Sequence, residues 1–557
     1  MLHYGALPVV RVINFSVKKG NAMRRFLEPG SFVLQIRPLT LFAVLVLLGR
    51  VVVWPSQSAH AAGVVGNGTA ASCTEAALTT ALASGGTVTF NCGPDPVTIT
   101  VTSQKMITAT TTIDGGGTIT ISGNRTTGIF KTAYNISFTV NNLALADGVT
   151  SGQGGAIETG FKNTLVVRGS SFRNNASTKD SAQCDGGGAI FIGGGSTAAI
   201  ENSTFTGNRA NNGGAINNLR SKLTVLNSTF RDNHAIHTDR INSFGDCGGG
   251  GAIYSDGSRS PQDGGPDPIT LSGNTFVGNT TNNHGGAIFA GSYSGETVTI
   301  DQSTFEANRA VKSASMESSG SGGAIWYGFA ADGVSQYTLQ LRNSTIANNS
   351  AETQGGGVWT DGPLNISNVT LTGNTAINPA NLDRDDWRKG NGGAIALCCD
   401  APVTITNSTL ANNRAGFNGG AIAGKTVTIR NTIFAHNTAD WYIGIMQHCT
   451  DALTDGGNNL QFPAKNPNPN YWNETNCSAS ITLADPQLGA LAANGGPTRT
   501  MALAATSPAR DAANAATCPS VDQRGYRRVG RCDVGAYEFG GEPFVVSSRL
   551  FVPHITR

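Results

Sequence analysis

The chain has 557 residues, of which 72 are glycine, and 13% are charged and 7% aromatic, with a formal net charge of +2 at pH 7. This composition contains too little large apolar material for several independent globular cores. Long runs of Thr, Val, Ile, Asn and Ser between glycines instead predict many short strands and tight turns.

The N-terminal segment 1–61 has the features of a secretory signal. Basic residues precede the apolar run 41–48, and the small-x-small cleavage pattern Ala59-His60-Ala61 follows it. The basic region is long from the first residue, but of ordinary length if translation begins at Met23. A membrane anchor is the alternative interpretation, although Arg50 interrupts the apolar run. We therefore expect an exported protein, either secreted or at the cell surface.

Removal of the predicted signal takes away seven Lys/Arg and one acid. The remaining chain is mildly acidic, which argues against nucleic acid as a partner. Neither His-Glu-x-x-His nor Gly-x-Ser-x-Gly occurs, and we expect no nucleotide partner.

An internal repeat dominates the middle of the chain. Its motif is Gly-Gly-Ala-Ile, with one Gly-Gly-Gly-Val variant, and it ends at Ile157, Ile190, Ile216, Ile253, Ile288, Ile325, Val358, Ile395 and Ile422. Successive ends are 26 to 37 residues apart. This spacing indicates one shared unit that carries loops of different length.

A second motif alternates with the first and consists of an apolar residue followed three positions later by asparagine. The apolar residues are Phe172, Phe205, Phe230, Phe276, Phe305, Ile346, Leu371, Leu410 and Phe434. The asparagines are Asn175, Asn208, Asn233, Asn279, Asn308, Asn349, Asn374, Asn413 and Asn437. Another set lies three positions before many of the apolar residues: Asn202, Asn227, Asn343, Asn368, Asn407 and Asn431.

These motifs predict stacked coils. A coil of about 25 residues cannot bury its own apolar side, so it must stack on neighbours about 4.8 Å away. The apolar residues then form inward ladders, and the asparagines hydrogen-bond along the stack. The predicted fold class is all-β, a right-handed parallel β-helix over 87–459. An N-terminal cap at 62–86, a disulfide-containing C-terminal cap at 460–540 and a tail at 541–557 complete the predicted organisation.

Ten cysteines in an exported chain predict disulfides, although the sequence does not prove their connectivity. Proximity suggests three pairs: Cys73 with Cys92, Cys449 with Cys477, and Cys518 with Cys532. Cys184 and Cys247 occupy equivalent points of two coils, which suggests a fourth pair. The adjacent Cys398 and Cys399 have no evident partners.

The two alternating motifs resemble the repeats of the polymorphic outer membrane protein family. Near the C-terminus, Asn-Gly-Gly-Pro-Thr at 494–498, Asp-Gln-Arg-Gly at 522–525 and Cys-Asp-Val-Gly-Ala-Tyr-Glu at 532–538 resemble the choice-of-anchor Q segment. These resemblances imply a bacterial β-helix protein displayed at the cell surface.

Two functions of different classes fit such a protein. The first is a non-catalytic adhesin-like or envelope scaffold that binds glycan or protein along its exposed face. Its candidate stacking residues are Trp326, Trp359 and Trp387. Trp326 and Trp359 directly follow the repeat motif, as do Phe191, Tyr254 and Phe289, so these five side chains either share an exposed face or form a buried ladder.

The second function, by analogy of fold, is a pectate lyase-like polysaccharide lyase or a glycoside hydrolase acting on an acidic polysaccharide. Its candidate catalytic residues form a charged insertion: Asp383, Asp385, Asp386 and Arg388. Such an insertion is usually a solvated loop, and we favour that interpretation.

Asp263 and Asp267 are candidates for a calcium site, and no other cofactor is expected. The surrounding Pro/Gly/Asp composition is also what a turn requires, and we favour the turn. The C-terminal arginines Arg524, Arg527, Arg528 and Arg531 would either bind an anionic envelope polymer or pair internally with Asp522, Asp533 and Glu538. We favour internal pairing.

Overall fold

The computed structural model describes residues 63–178, 186–236, 249–260, 264–293, 295–313, 319–329, 337–378, 389–440, 447–465 and 476–544. The predicted signal and most of the predicted tail lie outside these ranges. Eight of the candidate residues named above also lie outside the described ranges: Cys184, Cys247, Asp263, Asp383, Asp385, Asp386, Trp387 and Arg388.

Four long parallel sheets, which we name sheets I to IV, form the walls of the protein. Sheet I contains 14 strands: Gly63–Val65, Gly86–Phe90, Thr111–Asp114, Ser137–Asn141, Thr164–Arg168, Thr197–Glu201, Lys222–Leu226, Ile269–Ser272, Thr297–Asp301, Thr338–Arg342, Leu364–Ser367, Val403–Thr406, Val427–Arg430 and Thr454–Asp455. Sheet II also contains 14: Val97–Thr100, Ile119–Ser122, Ala144–Ala146, Ser171–Arg173, Thr204–Thr206, Thr229–Arg231, Thr275–Val277, Thr304–Glu306, Thr345–Ala347, Thr370–Thr372, Thr409–Ala411, Ile433–Ala435, Leu460–Phe462 and Thr482–Leu483.

The other two walls have shorter strands. Sheet III contains 11: Lys105–Ile107, Phe130–Thr132, Ile157–Glu158, Ile190–Ile192, Ile216–Leu219, Ile253–Asp256, Ile288–Ser292, Ile325–Phe329, Val358–Thr360, Ile395–Leu397 and Ile422–Ala423. Sheet IV contains 10: Val149–Thr150, Ala176–Ser177, Arg209–Ala210, His234–Ala235, Thr280–Thr281, Arg309–Ala310, Ser350–Ala351, Thr375–Ala376, Arg414–Ala415 and Thr438–Ala439.

Each coil of the central part visits sheets III, I, II and IV in turn before the chain returns to sheet III one level further on. Consecutive strands of a sheet are therefore one coil apart in sequence, and all of them pair in parallel. The predicted right-handed parallel β-helix is confirmed. Its parallel strands extend from Gly63 to Leu483, beyond the predicted range 87–459.

The predicted ladders fill the interior. Five phenylalanine rings stack with centroids 4.6–4.8 Å apart, and they belong to Phe172, Phe205, Phe230, Phe276 and Phe305. Beside them, the side-chain amide of each ladder asparagine from Asn175 to Asn413 donates to the side-chain oxygen of the next at 2.9–3.0 Å. Because every coil repeats the same contacts, apolar burial and hydrogen bonding reinforce one register.

The second set of asparagines serves the backbone rather than the core. All six have positive φ, between 43° and 53°, at the turn between sheets I and II. Asparagine tolerates this left-handed conformation better than most residues because its short side chain bonds locally. Asparagine therefore recurs at this position because the turn requires a residue that accepts a positive φ.

A short helix, Glu75–Leu82, covers the first coil as predicted, after the 3-10 turn Ala70–Ser72. The Thr74 hydroxyl accepts from the backbone N–H of Ala77 at 3.2 Å, which caps the helix. Leu78 and Leu82 are buried against the coil. Within the described ranges, no helix has the length and apolar character needed to cross a membrane.

The C-terminal segment differs from the predicted end cap. It contains the antiparallel pairs Leu488–Ala492 with Thr500–Leu503 and Tyr526–Arg527 with Glu542–Pro543. This segment lies along the outer face of sheet II. There the outward threonine hydroxyls bind it: Thr345 donates to Arg499 O at 2.5 Å, Thr370 donates to Gln523 Oε1 at 2.6 Å, and Thr409 accepts from Ala536 N at 3.2 Å.

The three disulfides suggested by proximity are present, Cys73–Cys92, Cys449–Cys477 and Cys518–Cys532. Cys398 and Cys399 are joined to each other, a pairing that the sequence interpretation did not propose.

Two of the four C-terminal arginines, Arg524 and Arg528, pair internally with acidic residues, as favoured. Arg524 Nη2 lies 2.7 Å from Asp522 Oδ2, and Arg528 Nη1 lies 3.0 Å from Glu538 Oε2, with all four side chains at most 5% exposed. The Asp-Gln-Arg-Gly and Gly-Ala-Tyr-Glu motifs therefore supply the buried ion pairs within this segment and two of its hydrogen bonds to sheet II.

Candidate functional site

The outer face of sheet III carries a column of aromatic side chains. Side chains alternate along a strand, so the residue after each inward isoleucine of the repeat points outward. Register places these outward residues one above another: Phe191, Asn217, Tyr254, Phe289, Trp326 and Trp359. The last four rings stack, with successive centroids 4.7, 4.2 and 4.9 Å apart. The predicted equivalence of the two tryptophans is confirmed.

Exposure divides this column. Tyr254 and Phe289 are 3% and 5% exposed, whereas Trp326 and Trp359 are half-buried. The Trp359 indole N–H donates to Gln354 Oε1 at 3.0 Å, but the buried Trp326 N–H has no hydrogen-bond partner. The sequence left open whether these side chains form a buried ladder or an exposed face. Tyr254 and Phe289 form a buried ladder, whereas Trp326 and Trp359 remain partly accessible.

Two glycines on the outer face of sheet III leave room for the Trp326 and Tyr293 rings to lie flat against the sheet. Gly291 and Gly328 are aligned in neighbouring strands. A Cβ at Gly328 would lie 2.1 Å from the Trp326 indole, and a Cβ at Gly291 would lie 2.9 Å from the Tyr293 ring. Any other residue at these positions would displace the rings, so the glycines shape the wall.

A cleft of about 470 Å³ adjoins the column at the turn between sheets III and I. Four consecutive coils contribute to it, and its principal side chains are Phe161, Lys162, Leu219, Arg220, Asp256 and Arg259. Asp256 points outward because it lies two residues after Tyr254 on the same strand. The cleft and the aromatic column therefore share one wall of the protein.

Charges in the cleft are unevenly paired. Arg220 Nε is 3.8 Å from Asp256 Oδ2, and the Arg220 guanidinium lies 5.5 Å from the centre of the Tyr293 ring. Burial raises the pKa of Asp256 above its ordinary value, and nearby Glu296 adds to this effect, while Arg220 and a hydrogen bond with Tyr293 oppose it. Lys162 forms no ion pair with any residue in the described ranges.

The calcium candidate Asp267 is engaged by an arginine. Arg259 Nη2 donates to Asp267 Oδ1 at 2.8 Å, and Arg259 Nε donates to the other carboxylate oxygen. Hydrogen bonds from Arg259 lower the pKa of Asp267. Among the described residues, no three His, Cys, Asp or Glu side chains are grouped so as to hold a metal ion.

An exposed aromatic pair lies at the mouth of the cleft. Tyr134 is 65% exposed and Phe161 is 48% exposed, and their rings meet edge to face with centroids 5.7 Å apart. They are equivalent positions, each four residues after a core residue of sheet III, Phe130 or Ile157. The sequence interpretation missed both, although this shared spacing could have revealed them.

Among the described residues that line the cleft, carboxyl groups are few. Hydrolysis of a glycosidic bond requires two carboxyl groups that reach the substrate. Asp256 lines the cleft, but Glu296 is 1% exposed and accepts from the backbone N–H groups of Ser258 and Tyr293, each at 3.2 Å. The described lining residues thus provide one accessible carboxylate beside the aromatic and cationic groups.

Comparison with known proteins is informative for the repeat. Residues 227–256 match the Chlamydia polymorphic membrane protein (Chlamydia_PMP) repeat. No curated protein matches the chain. The crystal structure of pectate lyase Pel9A is similar with a TM-score of 0.30 and 13% sequence identity, and the match covers 83% of this chain and 90% of that one. The segment from Asn227 to Asp256, which carries one rung of each ladder and ends in the cleft, is therefore similar to a polymorphic membrane protein repeat.

Proposed function

We propose that this protein is a cell-surface or secreted β-helix protein, adhesin-like or part of an envelope scaffold, that binds glycans along the outer face of sheet III. The observation that carries the proposal is the exposed pair Tyr134 and Phe161 at the mouth of the cleft that also holds Lys162, Arg220 and Asp256. Tyr134 and Phe161 contact each other and so form a contiguous exposed apolar patch, the kind of surface feature that marks binding sites more often than isolated exposed residues do. Their flat apolar faces are suited to the apolar faces of sugar rings.

The surface location rests on separate support. The predicted export signal, the similarity to a membrane protein repeat and the resemblance of residues 460–540 to the choice-of-anchor Q segment all favour display outside the cell. The half-buried tryptophans 326 and 359 lie on the same wall and would extend the contact along the solenoid axis.

The test is binding of the mature chain, from Ala62 onward, to an array of cell-surface and plant polysaccharides. We expect Phe161→Ala to weaken binding about three- to tenfold, because a stacking contact contributes about 0.5–1.5 kcal/mol. Phe544→Ala is the matched control, since Phe544 is 49% exposed but belongs to the C-terminal segment. Equal loss in both variants, or no loss in Phe161→Ala, would contradict binding at this wall.

A second candidate is a polysaccharide lyase or glycoside hydrolase acting on an acidic polysaccharide. The raised pKa of Asp256 in a cleft favours it, because shifted carboxyl groups in clefts often transfer protons. Release of reducing or unsaturated ends, measured with and without calcium and abolished in Asp256→Asn, would establish it. Release that persists in Asp256→Asn would place any catalysis elsewhere.

A further inference from the structure

We infer that the cleft beside sheet III binds the anionic group of an acidic sugar, with Lys162 and Arg220 as its cationic partners and Phe161 as the stacking surface. This inference rests on the proposed glycan-binding function and names the class of glycan. The argument depends on which charged side chains of the cleft already have an ion-pair partner and which can still bind an anion.

Lys162 is the first free charge. It follows Phe161 directly, in a turn where its φ is +59°, and its side chain is exposed. The aliphatic stem lies against Gly195, where an added Cβ would be 3.2 Å from Lys162 Cγ. Because Lys162 has no ion pair within the described ranges, an incoming anion meets an ammonium group that needs no release from another partner.

Arg220 is the second available charge. Its side chain is 59% exposed, and 3.8 Å from Nε to the Asp256 carboxylate is longer than the 2.7–2.9 Å of a strong charge-assisted hydrogen bond. A guanidinium in this state can turn toward a ligand anion at small cost. Arg259, by contrast, is held on both oxygens of Asp267.

The balance of charge selects an acidic sugar over a neutral one. Arg259 is paired with Asp267, so the accessible lining sets Lys162 and Arg220 against the single carboxylate of Asp256, an excess of one positive charge. Stacking on Phe161 would place a sugar ring beside Lys162, the next residue in the chain. Asp256 then remains an acceptor for sugar hydroxyl groups.

The experiment uses polymers that differ only in charge. Binding of the full mature chain is measured with polygalacturonate and hyaluronate, with the methyl ester of each, and with dextran and dextran sulfate. We expect at least one acidic form to bind at least tenfold more tightly than its uncharged counterpart, with weaker binding at high salt. Preference for dextran sulfate over both uronates would identify sulfate, rather than carboxylate, as the source of the anion.

Variants separate this inference from the proposed function. Lys162→Met with Arg220→Gln should reduce binding of the acidic form to the level of its uncharged counterpart. Lys425→Met is the matched control, because Lys425 occupies the same kind of turn eight strands of sheet III further on, about 38 Å away. Equal binding of charged and uncharged forms, or a preference that survives the double variant, would overturn the inference and leave glycan binding intact. Absence of binding to every polymer, including the wider array, would instead refute both.

Discussion

The side-chain amide nitrogen of Asn437 lies 3.1 Å from Nδ1 of His448, so a buried imidazole ends the asparagine ladder. The other ring nitrogen, Nε2, lies 3.2 Å from the carbonyl oxygen of Pro463. A carbonyl oxygen only accepts, so Nε2 carries the proton and Nδ1 accepts from Asn437. Burial lowers the pKa of His448 to about 4, which keeps the ring neutral.

This arrangement predicts acid sensitivity of the C-terminal coils. An unfolded histidine has a pKa of about 6.5, so the unfolded state binds more protons than the folded state between that value and about 4. The free energy of unfolding should therefore decrease as pH falls through this window, by up to roughly 3 kcal/mol. Urea unfolding of wild type and His448→Gln at pH 7 and 4.5 measures it. A stability difference between the two proteins that does not change with pH would contradict the assignment.

A second prediction concerns the middle of the ladder. Asn279 is fully buried, donates to Phe230 O at 3.0 Å and accepts from the side chain of Asn233 at 2.9 Å. Asn279→Ala leaves these buried partners unsatisfied and should lower the free energy of unfolding by about 2–4 kcal/mol. Asn227→Gly is the control, since Asn227 is exposed and glycine accepts its positive φ. We expect thermal unfolding to show a large loss in the first variant and little in the second.

A third prediction addresses the C-terminal segment. Arg528→Met leaves Glu538 buried without its charge partner, which costs about 3–5 kcal/mol and should detach the segment from sheet II. Limited proteolysis should then cleave between residues 485 and 544, while the β-sheet circular dichroism of the solenoid is retained. Arg527→Met removes an exposed arginine from the same motif and should leave the segment protected. Equal protease resistance of all three proteins would show that the ion pair does not hold the segment.

The fourth prediction is a pH dependence of glycan binding. The carboxyl group of Asp256, which faces Arg220, Tyr293 and Glu296, has a pKa above its ordinary 3.8, chiefly because of burial. Its protonation as the pH falls toward this raised pKa removes a negative charge from the cleft and releases Arg220. Affinity for a sulfated polymer, which keeps its own charge in acid, should therefore rise as pH falls. Asp256→Asn should bind at pH 7 as wild type does at low pH, and parallel pH profiles of the two proteins would refute this role.

Part of the candidate site could be predicted from the sequence. The repeat predicted that Trp326 and Trp359 occupy equivalent positions, because the residue after each motif isoleucine must point to the same side of the same sheet. It did not reveal Arg220 or Asp256 as a pair. They lie 36 residues apart, and the intervening coil could have carried them to different walls.

The sequence by itself determined the coil. Gly-Gly-Ala-Ile and the apolar-x-x-Asn motif must stack on copies of themselves, because a single coil cannot bury its apolar side, and stacking in register turns each repeated residue into a ladder. The tertiary structure decided what lies on the outside of that ladder. The turns of four coils meet to form the cleft, and the C-terminal segment binds the threonines of sheet II, because both depend on loops and contacts that do not repeat.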